Sequence, residues 1–187
     1  MLHRLACVLA LAGVLIGGGA TSLAAPNLPP PRYVAKADAY VSAASARQNF
    51  GGAAVLEVRW RPASRAYLSF DLRGVGTGAI ISKATLRLQS RSPRGRFSVR
   101  AARNGWTERG ITFRNAPPPG RLIANAVRAR LGLVRANVKS GVSPGRTVSF
   151  VLTAPRGVIR FASRESNGAP RLDLVLEPTG TAGGSAR

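Results

Sequence analysis

Between Tyr33 and Glu177 apolar and polar residues alternate along most of the chain. That period of two marks half-buried β-strands, in which neighbouring side chains point to opposite faces. Val55-Leu56-Glu57-Val58-Arg59-Trp60-Arg61 and Arg65-Ala66-Tyr67-Leu68-Ser69-Phe70-Asp71-Leu72 follow it. So do Ala84-Thr85-Leu86-Arg87-Leu88-Gln89, Thr147-Val148-Ser149-Phe150-Val151-Leu152 and Arg171-Leu172-Asp173-Leu174-Val175-Leu176. Turn formers separate these runs at Gly51-Gly52, Pro62, Gly74 to Gly78, Pro93-Arg94-Gly95, Pro117 to Gly120, Pro144-Gly145, Pro155-Arg156-Gly157 and Asn167-Gly168. Many short strands punctuated in this way predict an all-β, antiparallel sandwich or barrel. Leu122 to Val134 fits neither period, and its Ala, Leu and Arg content leaves strand and short helix both open.

The two ends depart from this pattern. Arg4, an apolar run from Leu5 to Ile16 and the small residues Ser22-Leu23-Ala24 form the layout of an export signal, with cleavage before Ala25. The apolar run is 12 residues long, whereas a membrane span needs about 20, so no span is expected after cleavage. Residues 25–36, with Pro26 and Pro29-Pro30-Pro31, read as an extended linker. Residues 37–177 form the domain, and 178–187, rich in Gly, Thr, Ala and Ser, a flexible tail. The expected location is secreted, periplasmic or cell-surface, by bacterial-type export.

Cleavage also changes the available chemistry. The only His, His3, and the only Cys, Cys7, lie within the signal. The mature chain therefore has no Ser-His-Asp or Cys-His nucleophilic site, no His or Cys zinc site and no disulfide framework. The seven acids that remain, Asp38, Glu57, Asp71, Glu108, Glu165, Asp173 and Glu177, show no spacing that singles out a catalytic pair. No catalytic residue is expected, and the protein is read as not an enzyme.

Charge gives a different indication. The chain carries 28 Lys plus Arg against 7 Asp plus Glu, a net charge of +21. Hydrophobic residues make up 45% of it, too many for a disordered polycation. Alternation places Leu56, Val58 and Trp60 toward a core, and Arg59 and Arg61 outward. It likewise turns Arg65, Tyr67, Arg87 and Arg100 away from Ala66, Leu68, Leu86 and Val99. If these strands share a sheet, its open face presents Arg59, Arg61, Arg65, Tyr67, Arg87 and Arg100 as candidate ligand-binding residues. Guanidinium forks pair bidentately with carboxylates and sulfates, and an aromatic ring stacks on the apolar face of a sugar.

Several strings carry a family resemblance. Ala37-Asp38-Ala39-Tyr40-Val41, Gln48-Asn49-Phe50-Gly51 and Ile81-Ser82-Lys83-Ala84-Thr85-Leu86-Arg87-Leu88 resemble the opening half of a DNRLRE domain, a family that overlaps carbohydrate-binding module family 96. Trp106-Thr107-Glu108 with Ile111-Thr112-Phe113-Arg114-Asn115-Ala116-Pro117, and Phe161-Ala162-Ser163-Arg164-Glu165-Ser166 with Ala169-Pro170-Arg171-Leu172, are similar to its second half. Phe113 stands where the family usually has Trp, and the family's later Trp and Asp are missing from Leu122 to Val138.

The resemblance implies a β-sandwich of jelly-roll type, displayed outside the cell, and in some members binding to acidic glycans. Asp38, Asp71, Trp106, Glu108, Arg164 and Glu165 are the matched residues, expected in structural roles: Trp106 in the core, Asp71 at the turn into Arg73-Gly74, the other charges as ion pairs or anchors. Jelly rolls often bring their two ends together, and a structural calcium near Asp38 and Asp173 would need several oxygen ligands, which seven acids make an exception rather than the expectation; no metal or cofactor is called for.

These readings converge on a secreted, non-catalytic carbohydrate-binding or cell-surface-attachment domain, with an acidic polysaccharide as partner. Two alternatives remain: a structural or adhesive surface protein without a defined glycan, and a cationic protein that binds polyanions generally. No specific nucleic-acid motif is present, and the sequence does not set the oligomeric state.

Overall fold

The computed structural model describes residues 31–177. The stretches expected to be an export signal, the first part of a Pro-rich linker and a C-terminal tail lie outside the described residues. Among the described residues no helix is long and apolar enough to cross a membrane. Nine strands account for the regular structure: β1 (Arg32–Val34), β2 (Ala37–Ser42), β3 (Val55–Arg59), β4 (Ser64–Asp71), β5 (Ile81–Ala102), β6 (Leu122–Asn137), β7 (Thr147–Thr153), β8 (Val158–Ala162) and β9 (Arg171–Leu176). Two single turns of 3-10 helix, Ala43–Ser45 and Lys139–Gly141, are the only helical elements among the described residues.

All pairings are antiparallel, and five strands close a ring in the order β5, β7, β4, β3, β8 and back to β5. Three links are long, but two corners are held by single residue pairs, Arg59 with Ser64 and Ser90 with Phe161. The other strands extend the ring: β2 lies along β4, β9 along the first third of β5 with β1 outside it, and β6 along most of β5. The all-β class and antiparallel pairing thus follow the sequence pattern, while the ring takes the place of two separate sheets.

The 22-residue β5 organises this arrangement. One of its edges meets β9, β8 and β7 in succession, and the other carries only β6. A strand of that length must bend to serve both sides of a ring, and its ladder with β6 skips between Ser90 and Arg94, where the bulge supplies the bend. Leu122 to Val134 proves to be strand. Its apolar spacing escapes both periods because Ala126 (φ 48°) and Gly132 (φ 98°) break the alternation: Val134, Ala136 and Val138 face inward beyond Gly132, whereas Leu131 just before it is exposed.

The ring interior is the main core, filled by Leu56, Val58, Leu68, Phe70, Leu86, Phe97, Phe150 and Phe161, all fully buried. Phe97 meets Phe161 edge-on with ring centroids 5.0 Å apart. Each such side chain contributes about 1.5–3 kcal/mol by leaving water. A second cluster lies outside the ring, where the connection between β5 and β6 folds over the outer face of β2, β4 and β7. There Ile111, Trp106 and Phe113 pack on Ala39, Val41, Tyr67 and Val151.

Within the stretch expected to be linker, Arg32 to Val34 form an edge strand paired with Asp173 to Arg171.

Candidate functional site

Four of the six outward residues expected to bind a ligand are brought together and two are not. Arg59, Arg65 and Arg100 line one groove of about 540 Å³ that also contains Trp60 and Asn125. Arg61, in the β3–β4 turn, stands beside the groove rather than in its lining, its guanidinium 5.3 Å from the centre of the Trp60 ring. Arg87 lies elsewhere, beside Arg32 and Arg171 in a separate pocket. Its charge is engaged, since Nη1 donates to Asp173 Oδ2 at 2.9 Å.

Tyr67 is the clear correction. It is fully buried, and its hydroxyl donates to the Pro117 carbonyl at 2.6 Å. The alternation of β4 places it on the outer face as expected, but that face is roofed by the β5–β6 connection and does not meet solvent. Trp106 stands edge-on to Tyr67 with ring centroids 5.9 Å apart, and its Nε1 donates to Ser149 Oγ at 3.3 Å. Burial raises the Tyr67 hydroxyl above its usual pKa, partly offset by Arg65.

Trp60 is the residue that alternation misplaces. It continues the Leu56, Val58 phase and so reads as core, yet 49% of its surface is exposed. β3 ends at Arg59, so Trp60 is already in the turn and no longer bound by the pleat. Its position directly before Arg61-Pro62, itself a turn signal, was the available clue.

The charges around this ring are not equally free. Arg59 forks onto Glu57 at 3.0 and 3.2 Å, so its charge is compensated. Arg65 lies over the Phe113 ring at 5.1 Å, and Arg100 donates to the Gly120 carbonyl at 3.0 Å. Neither Arg61, Arg65 nor Arg100 has a carboxylate partner among the described residues. The groove therefore combines one solvent-facing indole with two uncompensated guanidinium groups, Arg65 and Arg100, and a third, Arg61, stands beside the same indole, a combination suited to a sugar that carries negative charge.

Four of the other matched residues, Asp38, Glu108, Arg164 and Glu165, form a separate knot. Arg164 donates its backbone N–H to Asp38 Oδ2 at 2.9 Å, and its Nη1 to Glu108 Oε2 at 2.9 Å and the Lys36 carbonyl at 2.7 Å. Asp38, Glu108 and Glu165 each bring a carboxylate oxygen within 4.8 Å of the others. Asp38 is fully buried and its Oδ1 has no hydrogen-bond partner. Burial, then the negative charges of Glu165 and Glu108, push its pKa up to about 7 against the bond from Arg164. Burial also raises the Glu108 carboxyl, opposed by Arg164.

Asp38 and Asp173, paired in the sequence reading as calcium positions, are engaged apart: the first with this knot, the second with Arg87. Asp71 occupies its own turn, where Oδ1 accepts the Arg73 backbone N–H at 3.1 Å, and the Arg73 side chain holds its carboxyl well below the usual range.

The knot fixes the roof over Tyr67. Asn49 donates to the carbonyls of Glu108 and Ile111 at 2.7 Å each. Gly51 presses so close that a Cβ there would lie 2.1 Å from the Glu108 carbonyl oxygen. Phe113, which belongs to the same roof, lies under the Arg65 guanidinium, so the roof reaches the groove through that one side chain.

No curated protein matches the chain. The family model described as carbohydrate-binding module family 96 matches residues 30–177, from the proline run to the end of β9. The match takes in the ring, the roof, the carboxylate knot and the Trp60 groove, and by it the chain belongs to carbohydrate-binding module family 96.

Proposed function

We propose that the protein is a secreted, non-catalytic module that binds an acidic polysaccharide in the groove around Trp60, on a frame of jelly-roll type. The observation that carries this reading is the half-exposed indole of Trp60 beside Arg61, Arg65 and Arg100, three guanidinium groups without carboxylate partners among the described residues. An indole offers a flat apolar surface to a sugar ring, and a guanidinium offers two parallel donors to a carboxylate or sulfate. Together they favour a charged sugar over a neutral one. The family assignment supports carbohydrate as the ligand class.

Binding of the purified protein to alginate, pectin, cellulose, chitin and DNA, at low and high salt, tests this. Saturable binding to the uronic-acid polymers, with a part that persists in high salt, is the expected result. Equal binding to all polyanions including DNA, abolished by salt, would instead identify a general polyanion binder. Failure to bind any polysaccharide would end the glycan reading and leave an adhesive role.

A further inference from the structure

The outer face of the β5–β6 hairpin holds a second concentration of charge. Arg94 stands opposite Arg130 in the ladder, and Arg96 opposite Arg128. Like charges directly opposed weaken a strand pair. Arg87 opposite Arg135 is a similar pairing on the same hairpin, but there Asp173 supplies a carboxylate. Arg94, Arg96, Arg128 and Arg130 have none within ion-pair distance among the described residues, nor does nearby Arg156.

These five side chains line a cavity of about 420 Å³. Its other walls are small or aliphatic, among them Gly95, Ala129 and Ile159, and no aromatic ring lines it. Gly95 lets β5 close onto β8, since a Cβ there would lie 2.5 Å from Ile159 Cγ1. The cavity can hold an anion by charge, but it has no surface on which to stack a sugar.

Its position connects it to the Trp60 groove. Arg94, Arg96, Ser98 and Arg100 occupy alternate positions of β5; the first two line the arginine cavity and the last two the groove. At about 3.3 Å per residue this row is about 20 Å long. The end of β7 and the β7–β8 connection border both sites as well, with Thr153 to Pro155 on the groove and Arg156 and Gly157 on the cavity.

We infer that the arginine cavity is a second subsite of the groove, so that one linear polyanionic polysaccharide lies along β5. One sugar stacks at Trp60, and carboxylates or sulfates further along the same chain are held by Arg94, Arg96, Arg128, Arg130 and Arg156. This rests on the glycan reading above and adds to it a dependence on ligand length. Like-charge pairs that weaken the hairpin in the free protein become favourable once an anionic chain lies between them.

Titration of the protein with a uronic-acid trimer and with a long oligomer of the same sugar, at low and high salt, tests the inference. The wild type should bind the long oligomer about tenfold or more tightly than the trimer, because the second contact is intramolecular once the first has formed. R128Q/R130Q should leave trimer binding unchanged and remove the gain from length, and R94Q/R96Q should repeat that result. Both variants should melt no lower than the wild type, since each removes like-charge pairs.

A double variant that binds the long oligomer as the wild type does would overturn the subsite. If it also aggregated, these arginines would be guarding the free edge of β6. A lower melting temperature in both variants would overturn it too, by making the arginines structural. Trimer binding that survives W60A would refute the groove reading on its own, while loss of trimer binding in W60A with no effect of either double variant would refute only the extension.

Discussion

Replacing Asp38 by asparagine should stabilise the protein at mildly alkaline pH and leave it nearly unchanged in mild acid. Asp38 is fully buried, its Oδ1 is unpaired, and Glu108 and Glu165 crowd it with like charge. Its pKa rises from 3.8 to about 7 on folding. Between these values the folded protein holds a proton that the unfolded chain has released, so stability falls as pH rises from about 4 to about 7 and levels off above. At about 1.4 kcal/mol per pH unit the loss amounts to at most about 4 kcal/mol.

Glu108 acts with the same sign, because its carboxyl is also raised. Asp71 acts with the opposite sign: its lowered carboxyl contributes stability that is lost as pH falls below the ordinary carboxylate range. The two effects therefore occupy different pH windows. Asparagine keeps the acceptor for the Arg164 N–H and offers the neighbouring carboxylates a donor in place of the orphaned oxygen. Urea unfolding of wild type and D38N from about pH 5 to about pH 8 is the assay. Wild-type stability should decline across that range while the variant's stays much flatter. Parallel curves for the two proteins, or wild-type stability that rises with pH, would refute the account of the knot.

Other substitutions test how the groove is supported. Tyr67→Phe removes a buried hydroxyl that holds the Pro117 carbonyl, and should cost about 1–3 kcal/mol in urea unfolding; no change would mean that the roof is not tied there. Gly51→Ala drives a methyl group into the Glu108 carbonyl and should cost about 1–3 kcal/mol or prevent folding, and a variant as stable as the wild type would contradict the close packing of roof on ring. Leu86→Ala opens the main core and should cost about 2–5 kcal/mol, with binding per folded molecule retained.

The strands were legible in the sequence because most of them have one face on a core. Where that condition failed, so did the reading. Tyr67 alternates correctly but is buried, because the outer face of β4 carries a second cluster assembled from residues 103–121, whose return over the sheet no local pattern encodes. Trp60 fails for the converse reason, since one residue past the end of β3 the alternation no longer applies. In β6 the phase is reset by positive φ angles at Ala126 and Gly132, and an alanine gives no warning of such a conformation.

The sequence identifies Asp38, Glu108, Arg164 and Glu165 as anchors but not their meeting, which is long-range: Arg164 reaches back 126 residues to Asp38. The arginines of the groove were identifiable as outward, but strand pairing alone decides that Arg65 and Arg100 share a cavity while Arg87 does not. The opposed pairs Arg94 with Arg130 and Arg96 with Arg128 depend on a register reset by the bulge after Ser90, which the sequence does not specify.

The most direct test of the central claim is equilibrium binding of wild type and W60A to alginate and to a neutral polysaccharide, with unfolding curves recorded alongside. Trp60 is half exposed and outside the main core, so its truncation should leave stability nearly unchanged. The wild type should bind alginate in preference to the neutral polymer, and W60A should lose about tenfold or more of that affinity, as truncation of an anchoring aromatic does. Alginate binding by W60A equal to that of the wild type, or no preference of the wild type for the acidic polymer, would contradict the account.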